Sequence, residues 1–161
     1  MPHEETAMNG VYVYDFCVPA DAADANGHVS NIDYVRWMTE ATHRHAAFTG
    51  CTAATRESGA TWVVRSHWIE YLRPAFAGDP VTAMTWVADL RRVQSRRKYR
   101  FLRQADESVL AQGETEWVFV DAVTGRPRAI PQPIQALFRV VPDNPGPAPA
   151  AEGAGGGVPE R

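Results

Sequence analysis

The chain has 161 residues and a formal net charge of −3, a length that fits one domain. No apolar run approaches the ~18 residues of a membrane span, and Glu4 and Glu5 stand where a signal peptide would carry its basic head, so a cytoplasmic protein without a membrane partner is expected. Cys17 and Cys51 have neither zinc spacing nor a secreted context and are expected as two buried thiols. A core of this size needs no disulfide or structural metal, and no cofactor is expected. The overall charge argues against a nucleic-acid partner, yet it averages two unlike regions. Residues 1–90 hold five Arg against eleven Asp and Glu, whereas residues 91–141 hold ten basic groups against five acidic ones. Seven of those ten are Arg91, Arg92, Arg96, Arg97, Lys98, Arg100 and Arg103. That stretch reads either as anion-seeking or as a strand edge whose like charges discourage pairing.

Val11 to Val18, rich in β-branched and aromatic residues and closed by Pro19, reads as a first strand. A polar turn follows, Ala20 to Ser30. From Ile32 the period changes, and Tyr34, Trp37, Met38, Ala41, His45 and Phe48 fall on one face of a helix ending near Gly50. Asn31 is the expected N-cap, and Asp33 lies in the first turn, where the helix dipole favours a carboxylate. Arg36, Glu40 and Arg44 follow at i, i+4 spacing on the other face, so Glu40 is expected to be a solvated ion-pair member. His43 and His45, two apart, point to different faces and cannot share a metal. A loop around Ala53 to Gly59 leads to four strands: Thr61 to Leu72, Val81 to Leu90, Ser95 to Gln104 and Val109 to Asp121. Asp106-Glu107-Ser108 makes a hairpin turn, and Gly113 marks a bulge or a close backbone approach. Ile134 to Phe138 reads as a short helix or a strand extension.

One strand, one long helix and four strands joined by short turns imply an α+β domain over residues 1–141, with a five-stranded antiparallel sheet wrapped on a central helix. Residues 142–161 contain five Pro, five Gly and four Ala; with so little apolar surface to offset ordering entropy, they are expected as a disordered tail. Open sheet edges, together with Trp62, Trp68, Trp86 and Trp117, predict association into a homodimer or homotetramer.

Between the first strand and the helix stands Asp24-Ala25-Asn26-Gly27-His28-Val29-Ser30-Asn31. As polymer chemistry this is a turn, with Gly27 free to take a positive φ. It also places a carboxylate, an amide and an imidazole at i, i+2 and i+4, directly before the positive end of a buried helix. An acid beside an anion-stabilising helix terminus is an arrangement suited to hydrolysis.

The string Asp-x-x-Gly-x-Val-x-Asn-x-x-Tyr, from Asp24 to Tyr34, resembles the hotdog-fold thioesterases of the 4-hydroxybenzoyl-CoA thioesterase-like superfamily. Asp24-x-Asn26-x-His28-Val29-x-Asn31 is similar in particular to the acyl-carrier-protein branch, where Asp, Asn and His all serve the active site. Gly78-Asp79-x-Val81, Arg91-Arg92 with Ser95, and Trp117 to Asp121 before Thr124-Gly125-Arg126-Pro127 agree with the resemblance, which spans about Val11 to Pro131. The plant carrier-protein enzymes add an acid and a cysteine on a later strand. Arg91 to Ser95 offers neither, and the match is better to small bacterial acyl-CoA thioesterases.

The resemblance implies hydrolysis of an acyl-CoA or acyl-carrier-protein thioester, with Asp24 as general base or nucleophile. The backbone N–H of Asn31 would polarise the carbonyl, and Asn26 and His28 would orient the water or the acid. Arg91, Arg92, Arg96 and Lys98 are candidates for the phosphates of coenzyme A. Another hotdog branch carries its acid on the central helix, which makes Glu40 the alternative acid. Hotdog hydratases resemble Asp-x-Asn-Pro-x-His; here the histidine comes one residue early and Gly27 replaces the proline. A non-catalytic acyl-thioester-binding module would keep the pocket and the basic strand without turnover.

Overall fold

The computed structural model describes residues 5–142 and Pro145. Strands β1 (Glu5–Met8) and β2 (Val11–Cys17) come first, then a 3-10 turn at Ala20–Ala22, α1 (Asn31–Thr49) and α2 (Cys51–Glu57). Strands β3 (Ala60–Tyr71), β4 (Pro80–Leu90), β5 (Gln94–Arg103) and β6 (Val109–Asp121) follow, and α3 (Gln132–Gln135) closes the domain. The strands form one antiparallel sheet in the order β1-β2-β4-β5-β6-β3.

The α+β class, the central helix and the expected strands are all present, with corrections. The sheet has six strands rather than five, because Glu5–Met8 pairs with β2 from Glu5↔Tyr14 to Met8↔Val11. All four residues of β1 are exposed, so the strand shows no burial alternation; the Tyr12 hydroxyl donates to the Glu5 carboxylate across it. Instead of a loop after Gly50 there is a second helix, α2. Its Cys51 and Thr55, one turn apart, are buried, and Thr55 Oγ1 accepts from Trp62 Nε1 at 3.2 Å. Of the two cysteines, Cys51 is buried and Cys17 is exposed. Phe48, placed on the buried helix face, is 54% exposed. The segment near residue 134 is helical, a single turn at Gln132–Gln135. Of the proline- and glycine-rich residues 142–161, all but Pro142 and Pro145 lie outside the described residues.

Tyr34, Trp37, Met38 and Ala41 of α1 pack onto the concave face of the sheet, against Tyr12, Tyr14, Phe101 and Leu110. The charged face behaves as its spacing implies, with a different pairing: Arg44 meets Glu40 at 3.0 Å, while Arg36 meets Asp33 at 3.5 Å. At Gly113 the register with both neighbours is unbroken, Ile69↔Gly113 and Tyr99↔Gly113, so this glycine marks a close approach and not a bulge. A Cβ built there would lie 2.8 Å from the Trp68 carbonyl oxygen and 3.0 Å from Met38 Cε.

Gly113→Ala should therefore destabilise the fold by about 1–3 kcal/mol, the usual cost of overpacking a core. Thermal melting checks this. A melting temperature equal to that of the unaltered protein would show that the helix and sheet separate freely.

Candidate active site

The turn between β2 and α1 folds on its own backbone. Asp24 N donates to His28 O at 2.7 Å, Gly27 N to Asp24 O at 3.0 Å, and Ser30 N to Ala22 O at 2.9 Å. Gly27 takes φ +78°, a conformation that favours glycine. The closed turn is fastened to the β3–β4 connection through Val29 N to Ala75 O at 2.9 Å and a bridge between His28 and Phe76. That connection is itself tied to the end of β2 by Gly78 N to Val18 O at 2.8 Å.

This folding pairs Asp24 with His28, three residues before α1 begins. Asp24 Oδ1 accepts the backbone N–H of Asn26 at 2.8 Å and of His28 at 3.3 Å; Oδ2 has no partner among the described residues. The amide of Asn26 and the imidazole of His28 do not bond the acid: they serve it through their backbones, and the His28 ring lies edge-on to Phe76 at 5.2 Å. Helix α1 is capped by Ser30, whose hydroxyl accepts from Ile32 N at 3.2 Å, and not by Asn31. Asn31 thus occupies the first helical position. Its N–H donates to nothing among the described residues, as the first turn of a helix requires. One turn further, Tyr34 is 3% exposed, and its hydroxyl is buried without a partner. Burial pushes the Tyr34 phenol up to about 12.

The four basic candidates lie elsewhere. Arg91 and Arg92 are exposed at the turn after β4, whereas the Asp24 turn abuts the start of that strand, roughly 30 Å away along an extended chain. Arg91 meets Asp89 at 2.9 Å and Lys98 meets Glu114 at 3.2 Å. Arg96 stands opposite Glu116 and Asp89 in the two strand registers, with its Nε buried and unpartnered. Arg96 and Lys98 share the outer face of β5, while Ser95, Arg97 and Tyr99 alternate to the buried face. Glu40 is exposed, as its spacing implies.

Residues 17–138 match the thioesterase-like superfamily, and the chain belongs to that family. Its fold is the hotdog fold. It is similar to a 1,4-dihydroxy-2-naphthoyl-CoA thioesterase from Synechocystis, at 18% identity and TM-score 0.72 over 80% of this chain and 95% of that one. It is also similar to an acyl-carrier-protein thioesterase from Bacteroides thetaiotaomicron, at 19% identity and TM-score 0.76, over 89% of this chain and 58% of the other. A Staphylococcus aureus protein solved in complex with coenzyme A matches at 16% identity and TM-score 0.74, over 83% and 85% of the two chains. No curated protein sequence matches the chain. No helix among the described residues is long and apolar enough to cross a membrane.

One buried polar pair was not singled out from the sequence. Arg97 Nη1 lies 2.8 Å from His45 Nδ1 and donates to Thr85 Oγ1 at 3.2 Å. The alternation of Ser95, Arg97, Tyr99 and Phe101 was the available signal. The His45 ring stacks on Tyr12 at 5.2 Å, and burial, reinforced by the Arg97 charge, lowers the His45 imidazole to about 3.

The sign of the resulting pH dependence follows. An unfolded histidine protonates near ~6.5, the folded one only near about 3, so between those values the unfolded chain holds the extra proton. Stability is fully present above pH ~6.5 and falls as the pH drops through that window. Denaturant titrations between pH 7 and 4.5 should show this decline. His45→Gln, which keeps an acceptor and cannot titrate, should flatten it by up to about one proton's worth; an unchanged slope would show that other groups govern it.

Proposed function

We propose that the chain hydrolyses the thioester of an acyl-CoA or acyl-carrier protein to a free acid and a thiol. The observation that supports this most is the Asp24 carboxylate, held on Oδ1 by two backbone amides of its own turn with Oδ2 uncommitted among the described residues, in the turn that leads into a helix whose first N–H, on Asn31, has no acceptor among them. Asp24 acts as general base toward water or as nucleophile toward the thioester carbon. The Asn31 N–H, reinforced by the helix dipole, takes the charge developing on the carbonyl oxygen. Asn26 and His28 fix the carboxylate through their backbones, and membership of the thioesterase-like superfamily agrees with the chemistry.

The working unit is a homodimer in this reading. β3 pairs only with β6, leaving a 12-residue edge on which Val63, Val64, Trp68 and Tyr71 are each more than 40% exposed. Such an edge is a template for a further strand. Two-fold antiparallel pairing of two β3 edges would bring the far end of one sheet toward the near end of the other. Arg91, Arg92, Arg96 and Lys98 of one chain would then meet coenzyme A phosphates of a thioester held at Asp24 of its partner. Val64→Lys on that edge should yield a monomer with reduced activity, checked by sedimentation. A monomeric mass for the unaltered chain with full turnover would overturn the dimer.

Free-thiol release tests the chemistry. Asp24→Asn keeps the turn former and removes the base, so kcat should fall by ~10²–10⁴ with an unchanged melting temperature. Glu40→Gln should change kcat less than twofold. If instead Glu40→Gln abolishes turnover while Asp24→Asn retains more than about a tenth, the acid lies on the helix. Replacing Arg91 and Arg92 by Ala should raise KM for acyl-CoA and spare pantetheine thioesters; equal losses on both would make the cluster structural.

A further inference from the structure

A cavity of about 440 Å³ lies between the C-terminal half of α1, α2, α3 and the buried face of the sheet, a size typical of small-molecule sites. No residue of the Asp24 turn lines it. Thr42, which does, lies eleven residues beyond Asn31, about 16 Å along the helix. Its wall combines apolar groups, among them Trp62, Ile130 and Ile134, with Arg97, which is 4% exposed. Only Nη1 of that guanidinium is hydrogen-bonded, to the uncharged His45 and Thr85, and its Cζ lies 5.6 Å from the Phe138 ring centroid. Nε and Nη2 have no partner, and no carboxylate meets Arg97 among the described residues.

A buried cation without a counter-charge is strongly unfavourable, and two further donors stand beside it without acceptors. Trp117 is 8% exposed with its Nε1 buried and unpartnered; it lies directly across the ladder from Ser95. Ser95 is 7% exposed, and its hydroxyl has no partner among the described residues. Both line the cavity, and Arg97 is the next residue on the same face of β5. The other buried hydroxyls of the wall are occupied: Thr42 bonds Tyr99 at 2.6 Å and Thr55 accepts from Trp62 at 3.2 Å, while Thr52 and Thr61 are exposed. The donors of this patch suit an anion with at least two acceptor oxygens.

We propose that the cavity binds a small organic carboxylate. The Arg97 fork, the Ser95 hydroxyl and the Trp117 indole N–H hold the anionic head, and the apolar wall covers the body. The carboxylate comes either from a free acid or from the far end of a dicarboxylic acyl thioester. The inference does not depend on Asp24 catalysis, and its test needs no turnover.

The full-length chain is titrated with benzoate and octanoate and with their neutral counterparts benzamide and octanamide, followed by calorimetry and by the fluorescence of Trp62 and Trp117. A second arm compares binding of hexadecanedioyl-CoA and palmitoyl-CoA, whose acyl chains are long enough to span the distance from Asn31 to Thr42, to Asp24→Asn protein. A free acid binding at least tenfold tighter than its amide assigns the site to free acids. Preference confined to hexadecanedioyl-CoA assigns it to the end of a substrate. In either case Arg97→Met should remove the preference. Ser95→Ala with Trp117→Phe, which leaves the buried charge in place, should weaken it severalfold and serves if Arg97→Met does not fold. Equal binding of charged and neutral probes in both arms, no binding at millimolar concentration, or preference that survives these variants would overturn the proposal.

Discussion

Everything in this domain depends on how closely α1 lies against the sheet. Met38 reaches the backbone of β6 only because residue 113 carries no side chain; a single Cβ there would collide with both the helix and the Trp68 carbonyl. With that spacing set, Tyr34 and Trp37 lock against Phe101 through ring contacts of 5.8 and 6.1 Å, and the helix cannot slide along its axis without unpacking them. Its N-terminus is consequently a fixed point. The Asp24 turn, sewn to the β3–β4 connection by backbone hydrogen bonds, is positioned relative to that point by the scaffold.

The same close packing sorts the charges. β5 carries a run of basic side chains, and period-two alternation divides it into two populations with different fates. Arg96 and Lys98 face outward, where Glu116 and Glu114 stand opposite them in the ladder. Arg97 faces inward, where it meets the uncharged imidazole of His45, the hydroxyl of Thr85 and the ring of Phe138. Summing the charge of a segment hides this division, because the sum has no direction.

That is also why the sequence was legible in some places and opaque in others. The central helix and four long strands were readable because their periods persist over ten or more residues and their partners impose the same burial on each. β1 was not, since four exposed residues leave no alternation to see; it is held by its ladder to β2 alone. α2 was obscured because Ala53 and Ala54 look like loop filler after a helix-ending glycine, and only the burial of Cys51 against Phe119 and Ala60 and of Thr55, bonded to Trp62, makes a helix of them. The Asp24 turn could be found because its groups are crowded within eight residues. The Arg97–His45 contact joins residues 52 apart, and no local pattern announces such a meeting. Within the turn the side-chain contacts expected from the sequence are not made: Asn26 and His28 reach the Asp24 carboxylate with their peptide groups.

That last feature bears on how freely the site can change. Because the turn is closed and anchored by main-chain bonds, the side chains at 25, 26 and 28, all exposed, are not needed to hold its shape. They can be exchanged with little effect on the carboxylate's position, whereas Gly27, Ser30 and the Ala75 contact cannot. A combinatorial library confined to those three positions would vary the surroundings of the Asp24 carboxylate while leaving its placement constant.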